Sequence, residues 1–201
     1  MITIIDYGVG NLRSVHKAFR AVGAEAMISS SKEDILKADK VVLPGVGSFG
    51  DGMAGLQERE LVEPVKAMIA QGKPFLGICV GMQLLFESSD ELGQHKGLGV
   101  LPGTVTRFKD VNLKVPQTGW NQLQVQTDNP LCADIDPNSY AYFNHAYYCA
   151  ASNEDDVIMA TDYGGLYASA VGRDKLYAVQ FHPEKSQAIG LQILRNFVER
   201  C

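Results

Sequence analysis

In 74-PFLGICVGMQLLF-86 an apolar run enters Gly77-Ile78-Cys79-Val80-Gly81 and leaves as a helix-like segment carrying Met82, Leu84, Leu85 and Phe86. This is the strand-to-helix turn of a nucleophile elbow, with sulfur in place of a serine hydroxyl. Glycines flank the nucleophile because strand, helix and substrate crowd the turn and leave little room for a Cβ. A helix N-terminus at Cys79 favours thiolate through its free N–H groups and partial positive charge. A thiolate nucleophile needs a base, and the base needs an orienting acid. Far along the chain, 177-YAVQFHPEKS-186 ends a strand with His182-Pro183-Glu184. Pro183 biases His182 away from helical geometry, and positions i and i+2 of an extended segment face the same way, so His182 and Glu184 can share one crevice. Cys79, His182 and Glu184 then form nucleophile, general base and orienter. Cysteines are often simply buried, and a strand-end histidine is often structural. The elbow, the histidine and the adjacent carboxylate together favour chemistry.

A second pattern competes for attention. In 41-VVLPGVGSFGDG-52, Gly45, Gly47 and Gly50 fit G-x-G-x-x-G after an apolar run, the fingerprint of a dinucleotide site. Asp51 falls where a pyrophosphate would meet the helix, and the next strand ends in Gly-Ile-Cys, without an acid to grip a ribose. The dinucleotide reading fails on both counts. A glycine-rich turn beside the elbow strand remains.

The elements that must position these residues alternate in the first half. Strands are predicted at Thr3 to Asp6, Ala24 to Ser29, Lys40 to Leu43 and Pro74 to Cys79. Helical periodicity groups Leu12, Val15, Phe19 and Val22, and again Leu61, Val65, Met68 and Ile69. Such β-α alternation argues a mostly parallel central sheet flanked by helices, an α/β fold. The second half carries β-type runs at Val100 to Phe108, Tyr140 to Ala150, Val157 to Thr161, Leu166 to Val171 and Leu176 to Phe181. Turn-like separators at Gly164-Gly165 and Gly172-Arg173-Asp174 predict antiparallel additions. A closing helix buries Ile189, Ile193, Leu194, Phe197 and Val198. With 201 residues and no linker or repeat, residues 1–201 read as a single domain.

Composition narrows the partners. A net charge of −5 offers no basic footprint for nucleic acid or an anionic membrane. The opening MITIIDYGVGN lacks a signal peptide's basic and long apolar regions, and 75-FLGICVGMQLLF-86 is shorter than the roughly 20 residues of a membrane span. Cys79, Cys132, Cys149 and Cys201 make no C-x-x-C pair, which places the chain in a reducing cytoplasm without disulfides. His16 and His95 have no metal-ligand spacing, and no Walker sequence is present, so neither metal nor cofactor is expected.

Taken together, GICVGMQLLF, QFHPEKS, LPGVGSF, IIDYGVGNLRS, VPQTGWN and YFNHAYY resemble the class I (triad) glutamine amidotransferases. Within them, IDYGVGNLRS, PGVGSF, GWN and HPEKS point to the glutaminase subunits of imidazole glycerol phosphate synthases. The likeness spans essentially the whole chain. It implies a flavodoxin-like core and hydrolysis of L-glutamine to glutamate and ammonia through a Cys79 thioester. It also implies a separate (β/α)8-barrel cyclase subunit as partner in a heterodimer. The resemblance places an oxyanion hole at the backbone of Val46, Gly47 and Val80. Gln83 and the Tyr147 backbone would hold the substrate's α-groups, with Gly47 and Ala146 lining the pocket. Asn11, Trp120, Asn121 and Lys185 lie in segments the family turns toward its cyclase. Each of these has an ordinary alternative: Asn11 a helix cap, Trp120 a core aromatic, Lys185 a solvated charge. Gln117, Asn144 and Ala146 depart from the family pattern, where a histidine, an apolar residue and a small hydroxyl residue are usual. A glutaminase feeding pyridoxal phosphate synthase is disfavoured by GMQ and HPEKS, and a non-catalytic binding module by the intact triad. Because only Cys79 sits on an elbow, a glutamine-analogue electrophile should label it and spare Cys132, Cys149 and Cys201. Peptide mapping checks this, and labelling that survives Cys79→Ala would move the nucleophile elsewhere.

Overall fold

A computed structural model describes residues 1–109 and 113–201 of the chain. In order, the elements of the first half are β1 (Ile2–Ile5), α1 (Leu12–Ala21), β2 (Ala26–Ser29), α2 (Lys32–Lys37), β3 (Lys40–Gly45), α3 (Phe49–Glu58), α4 (Val62–Ala70), β4 (Phe75–Cys79) and α5 (Val80–Gln83). There follow β5 (Phe86–Ser89), β6 (His95–Lys96), β7 (Leu101–Arg107), β8 (Gln117–Gln122), β9 (Gln124–Val125), β10 (Tyr140–His145), β11 (Tyr147–Ala151), β12 (Val157–Asp162), β13 (Leu166–Arg173), β14 (Leu176–Val179) and α6 (Gln187–Glu199). The main sheet runs β2-β1-β3-β4-β14-β13-β12-β9. Its members from β2 to β14 pair in parallel, and β13, β12 and β9 are added antiparallel. This is the mostly parallel sheet with antiparallel additions that the residue pattern implies.

Continuous burial marks the central strands. Every residue of β1, β4 and β14 is buried, as expected of parallel strands covered on both faces. Helix α1 turns Val15, Ala18 and Phe19 inward, and α4 turns Pro64, Val65 and Met68 inward. In α6, Ile193, Leu194 and Phe197 are buried with Ile189 and Val198 packed beside them. Asn196 is buried too, because its amide donates to the Leu131 and Ala133 carbonyls at 3.0 and 2.6 Å. Helix α3 carries three glycines, a composition that argues against a helix. It forms nevertheless, capped by Ser48, whose hydroxyl accepts from Asp51 N–H. A Cβ on Gly55 would stand 2.4 Å from the Tyr7 carbonyl oxygen, so glycine there lets the helix lie against the loop after β1.

Three sequence expectations need correction. The segment Met82 to Phe86 is not a continuous helix: α5 is a single turn, and Phe86 already belongs to β5, opposite Leu101 of β7. All these side chains are buried, and a short, mostly apolar run does not distinguish strand from helix. The run Tyr140 to Ala150 is two strands in different sheets, β10 against β8 and β11 against β7, broken at Ala146. The last strand stops at Val179, short of Phe181, so the histidine segment emerges beyond the sheet.

The crossing of β3 and the elbow is the tightest point of this architecture. Gly45 lies opposite Cys79 in the parallel register. A Cβ on Gly81 would lie 1.8 Å from the Leu43 carbonyl oxygen, a backbone atom that has nowhere to go. Gly81→Ala should therefore destabilise the chain by about 3 kcal/mol or more in urea unfolding, at the upper end for overpacking. Gly72→Ala should cost only about 1 kcal/mol, because Gly72 faces open space and needs only a positive φ of 67°. Equal losses at the two positions would contradict the packing argument.

Candidate active site

Cys79 ends β4 with φ 55° and ψ −111°, a left-handed conformation rare for a residue with a Cβ. That turn swings its side chain out of the sheet at the head of α5. His182 follows β14 in an extended conformation, φ −101° and ψ 96°. Pro183–Lys185 then form a 3-10 turn, and His182 Nδ1 lies 2.9 Å from Glu184 Oε1. The pairing inferred from an extended i, i+2 spacing is made, but across a turn. Both side chains are almost wholly buried.

Burial by itself would lower the His182 pKa. Hydrogen bonding to the Cys79 sulfur and to Glu184, with the electrostatic attraction of both groups, overrides it and raises the pKa to about 10. His182 is thus an imidazolium at neutral pH, set between sulfur and carboxylate. The other thiols are held in the neutral form. Burial, reinforced by nearby acidic groups, pushes Cys132 up to about 12, burial pushes Cys201 up to about 11, and burial with the neighbouring Cys79 raises Cys149 well above its ordinary value.

One crevice of about 100 Å³ gathers Val46, Gly47, Cys79, Val80, Gln83, Ala146, Tyr147 and His182, with Lys185 at its edge. Gly47 has φ 93°, a conformation that favours glycine, and its α-carbon faces open space. The strand before it is tethered by Tyr7, whose buried hydroxyl donates to the Pro44 carbonyl at 2.6 Å. Gln83 is buried, and its amide donates to the Tyr147 carbonyl at 3.1 Å and to Gln180 Oε1 at 3.2 Å.

Of the interface candidates, Lys185 borders the crevice, and Asn11, Trp120 and Asn121 lie outside its lining. Trp120 is 47% exposed, which removes the core-aromatic reading, and it meets Tyr142 edge-on at 6.3 Å. Lys185 extends its ammonium over the other ring neighbour of that pair, 5.7 Å from the Tyr142 centroid. Asn121 is engaged at home, donating to the Asp162 carbonyl at 2.9 Å. Asn11 occupies the N-cap position of α1 without a capping side-chain bond, so the cap reading fails for its side chain. Of the departures, Asn144 and Ala146 border the crevice, while Gln117 is buried on β8 away from its lining.

Three residues at or just behind the crevice escaped the sequence reading. Gln180 sends its amide toward Cys79 Sγ at 3.8 Å, and its signal was the i, i+2 alternation with His182. Glu91 lines the crevice with its carboxylate on the first amide of α3, Phe49 N–H, at 2.7 Å. No local pattern marks it. His145 lies at the end of β10, where it reads as an ordinary strand residue.

Residues 3–201 match the family described as glutamine amidotransferase class-I. Imidazole glycerol phosphate synthase subunit HisH of Geobacter sulfurreducens is 48% identical over 204 residues, covering 98% of each chain. The subunit of the same name from Chlorobaculum tepidum is 45% identical, covering 99% of this chain and 100% of that one. Among solved structures, PurLQS from Thermotoga maritima superposes with a TM-score of 0.77 at 18% identity, covering 98% of this chain and 96% of that one. The glutaminase domain of Trypanosoma brucei CTPS superposes with a TM-score of 0.68 at 15% identity, covering 100% and 94%. At such identities the structural likeness concerns the fold.

The raised His182 pKa carries a stability consequence with a definite sign. A histidine whose folded pKa lies above its ordinary 6.5 stabilises the fold fully below pH 6.5, and that contribution fades as pH climbs through about 10. In urea unfolding, the stability advantage of the wild type over His182→Gln should shrink steadily from pH 6.5 to 10. An advantage that grows over this range would reverse the assignment of charge.

Proposed function

The chain belongs to the class-I glutamine amidotransferase family, and from that premise we propose that it is the glutaminase subunit of an imidazole glycerol phosphate synthase, serving histidine biosynthesis. The observation that carries this reading is the full-length likeness to HisH subunits in a chain whose Cys79 and His182 line one crevice, with Glu184 bonded to the His182 ring.

The reaction is L-glutamine plus water giving glutamate plus ammonia. The Cys79 thiolate attacks the side-chain amide carbon, and the carbonyl π-electrons move to oxygen. Backbone N–H groups of Val46 or Gly47 and of Val80 receive that oxyanion, each donor contributing about 3 kcal/mol to the transition state. His182 passes its proton to the departing nitrogen, the C–N bond breaks, and ammonia leaves a γ-glutamyl thioester. His182 then takes a proton from water, hydroxide adds to the thioester, and the Cys79 thiolate departs with its electron pair. Glu184 keeps the imidazole oriented and stabilises its charged form. At the other end of the substrate, Gln83 and the Tyr147 backbone face the α-groups, with Gly47 and Ala146 as walls. Glu91 is the carboxylate on the crevice lining suited to the α-ammonium.

The proposed partner is a (β/α)8-barrel cyclase subunit, a reading supported by the subunit names of the HisH relatives. Asn11, Trp120, Asn121 and Lys185 belong to the face offered to it. The resemblance implies cytoplasmic residence; among the described residues no helix is long and apolar enough to cross a membrane.

With the cyclase present, His182→Ala should nearly abolish glutamine hydrolysis. Glu184→Gln should cost less, because an amide still holds the ring but does not stabilise the imidazolium. Synthesis from added ammonia should persist in both, since ammonia bypasses the glutaminase. Loss of ammonia-dependent synthesis would show that the substitutions broke assembly, and undiminished glutamine hydrolysis would refute the mechanism.

A further inference from the structure

His145 is a buried titratable group with no step in this mechanism, and its hydrogen bonds form a chain that ends at the glutamine crevice. Nδ1 lies 2.7 Å from the Tyr147 carbonyl oxygen. A carbonyl only accepts, so Nδ1 carries a proton. The ring packs among Phe108, Phe143 and Tyr167, and the charged group near it is the imidazolium of His182. Burial pushes the His145 pKa down to about 4; the bond to Tyr147 opposes this and His182 reinforces it. The ring is therefore neutral, and Nε2 needs a donor.

That donor is the Tyr167 hydroxyl, 3.3 Å away. The same hydroxyl lies 2.9 Å from the Gln117 side-chain oxygen, and one hydrogen does not serve both. Among the described residues, Gln117 Nε2 is also buried without a partner. Interchanging the oxygen and nitrogen of that amide, which have the same shape, frees the Tyr167 hydrogen for His145 and leaves an oxygen, in place of two N–H donors, at the unpartnered position. Gln117 N–H then donates to Tyr167, Tyr167 O–H to His145, and His145 N–H to the Tyr147 carbonyl. There a second donor arrives, Gln83 Nε2 at 3.1 Å. Two donors on one carbonyl pin both the Tyr147 peptide plane and the Gln83 amide.

We propose that His145 is a positioning residue for glutamine: its Nδ1–H, oriented by Tyr167 and Gln117, holds the Tyr147 peptide and Gln83 where they meet the substrate's α-groups. The inference rests on the glutaminase reading above. It gives Gln117, which departs from the family pattern, a structural reason for being polar. It also assigns the effect to substrate binding, since the hydrogen bonds of His145, Tyr167 and Gln117 run to one another and to the Tyr147 carbonyl and not to Cys79 or His182.

Two isosteric replacements separate the ring's two nitrogens. The Asn amide nitrogen can stand where Nδ1 stands, whereas a Gln amide nitrogen reaches the place of Nε2. In the complex with the cyclase, His145→Gln should raise the KM for glutamine about tenfold with kcat within about twofold, as for one lost buried hydrogen bond. His145→Asn should restore KM to within about threefold of wild type, and Tyr167→Phe should raise it a few-fold. Equal KM values for the Asn and Gln variants, or a fall in kcat at unchanged KM, would overturn the proposal. Long-range 1H–15N NMR of the folded chain adds a readout independent of turnover. It should show His145 as the neutral Nδ1–H tautomer between pH 6 and 8; an Nε2–H or doubly protonated ring would overturn the proposal as well. Absence of glutaminase activity in the wild-type complex would instead refute the functional reading, leaving the tautomer result to stand or fall by itself.

Discussion

Close contact between two backbones, at the point where the elbow crosses β3, is the constraint on which the site depends. A Cβ on Gly81 would strike the Leu43 carbonyl oxygen, and one on Gly77 would come within 2.8 Å of the Gly81 carbonyl oxygen. One on Gly45 would come within 2.7 Å of the Tyr7 hydroxyl. With glycine at all three positions the chain turns within a single residue, and Cys79 absorbs the turn at a positive φ that costs of order 1–3 kcal/mol. The surrounding contacts over-determine that conformation. Tyr7 contributes from another strand's end, tying Pro44 down so that Val46 and Gly47 reach the crevice beside the sulfur.

Electrostatics follow from the same compactness. His182 and Glu184 are removed from water, a condition that costs free energy unless charge meets charge. Hydrogen bonds and electrostatic attraction from the Cys79 sulfur and Glu184 offset that cost, and the imidazolium persists far above its ordinary pKa. Around this charged centre lies a polar but uncharged layer of Gln180, Gln83, the Tyr147 carbonyl and His145. Two histidines on either side of that layer are shifted in opposite directions. His182 is bonded to the Cys79 sulfur and a carboxylate, whereas His145 has aromatic rings and a cation.

The two-stranded ribbon β8–β10 connects this centre to the outside. Tyr142 lies opposite Trp120 in its register, and the Tyr142 carbonyl accepts from His182 N–H at 2.9 Å. On the same residue, Tyr142 N–H donates to Ser186 Oγ at 2.9 Å, and that hydroxyl donates to the His182 carbonyl at 2.7 Å. The histidine segment is thereby bound to a ribbon that carries an exposed tryptophan on its other strand. Helix α6 presses on the same segment from behind, where a Cβ on Gly190 would lie 1.9 Å from the Pro183 carbonyl oxygen.

Cys79, His182 and Glu184 were legible from residue type and local spacing, because a turn between glycines and a histidine before proline are short-range constraints that any fold must respect. The alternation of apolar runs likewise announced a parallel sheet with antiparallel additions, since burial on both faces imposes continuous hydrophobic strands. Local patterns were silent where partners come from distant parts of the chain. Glu91 enters the crevice only because β5 returns beside α3, and Phe86 is a strand residue only because Leu101 lies opposite it. The break at Ala146 exists because β10 and β11 pair with different strands, which no periodicity within the run reveals. The protonation of His145 is the clearest case. Its identity is written in the sequence, but its tautomer is set by a carbonyl on one side and a hydroxyl on the other, and only the folded chain brings those two together.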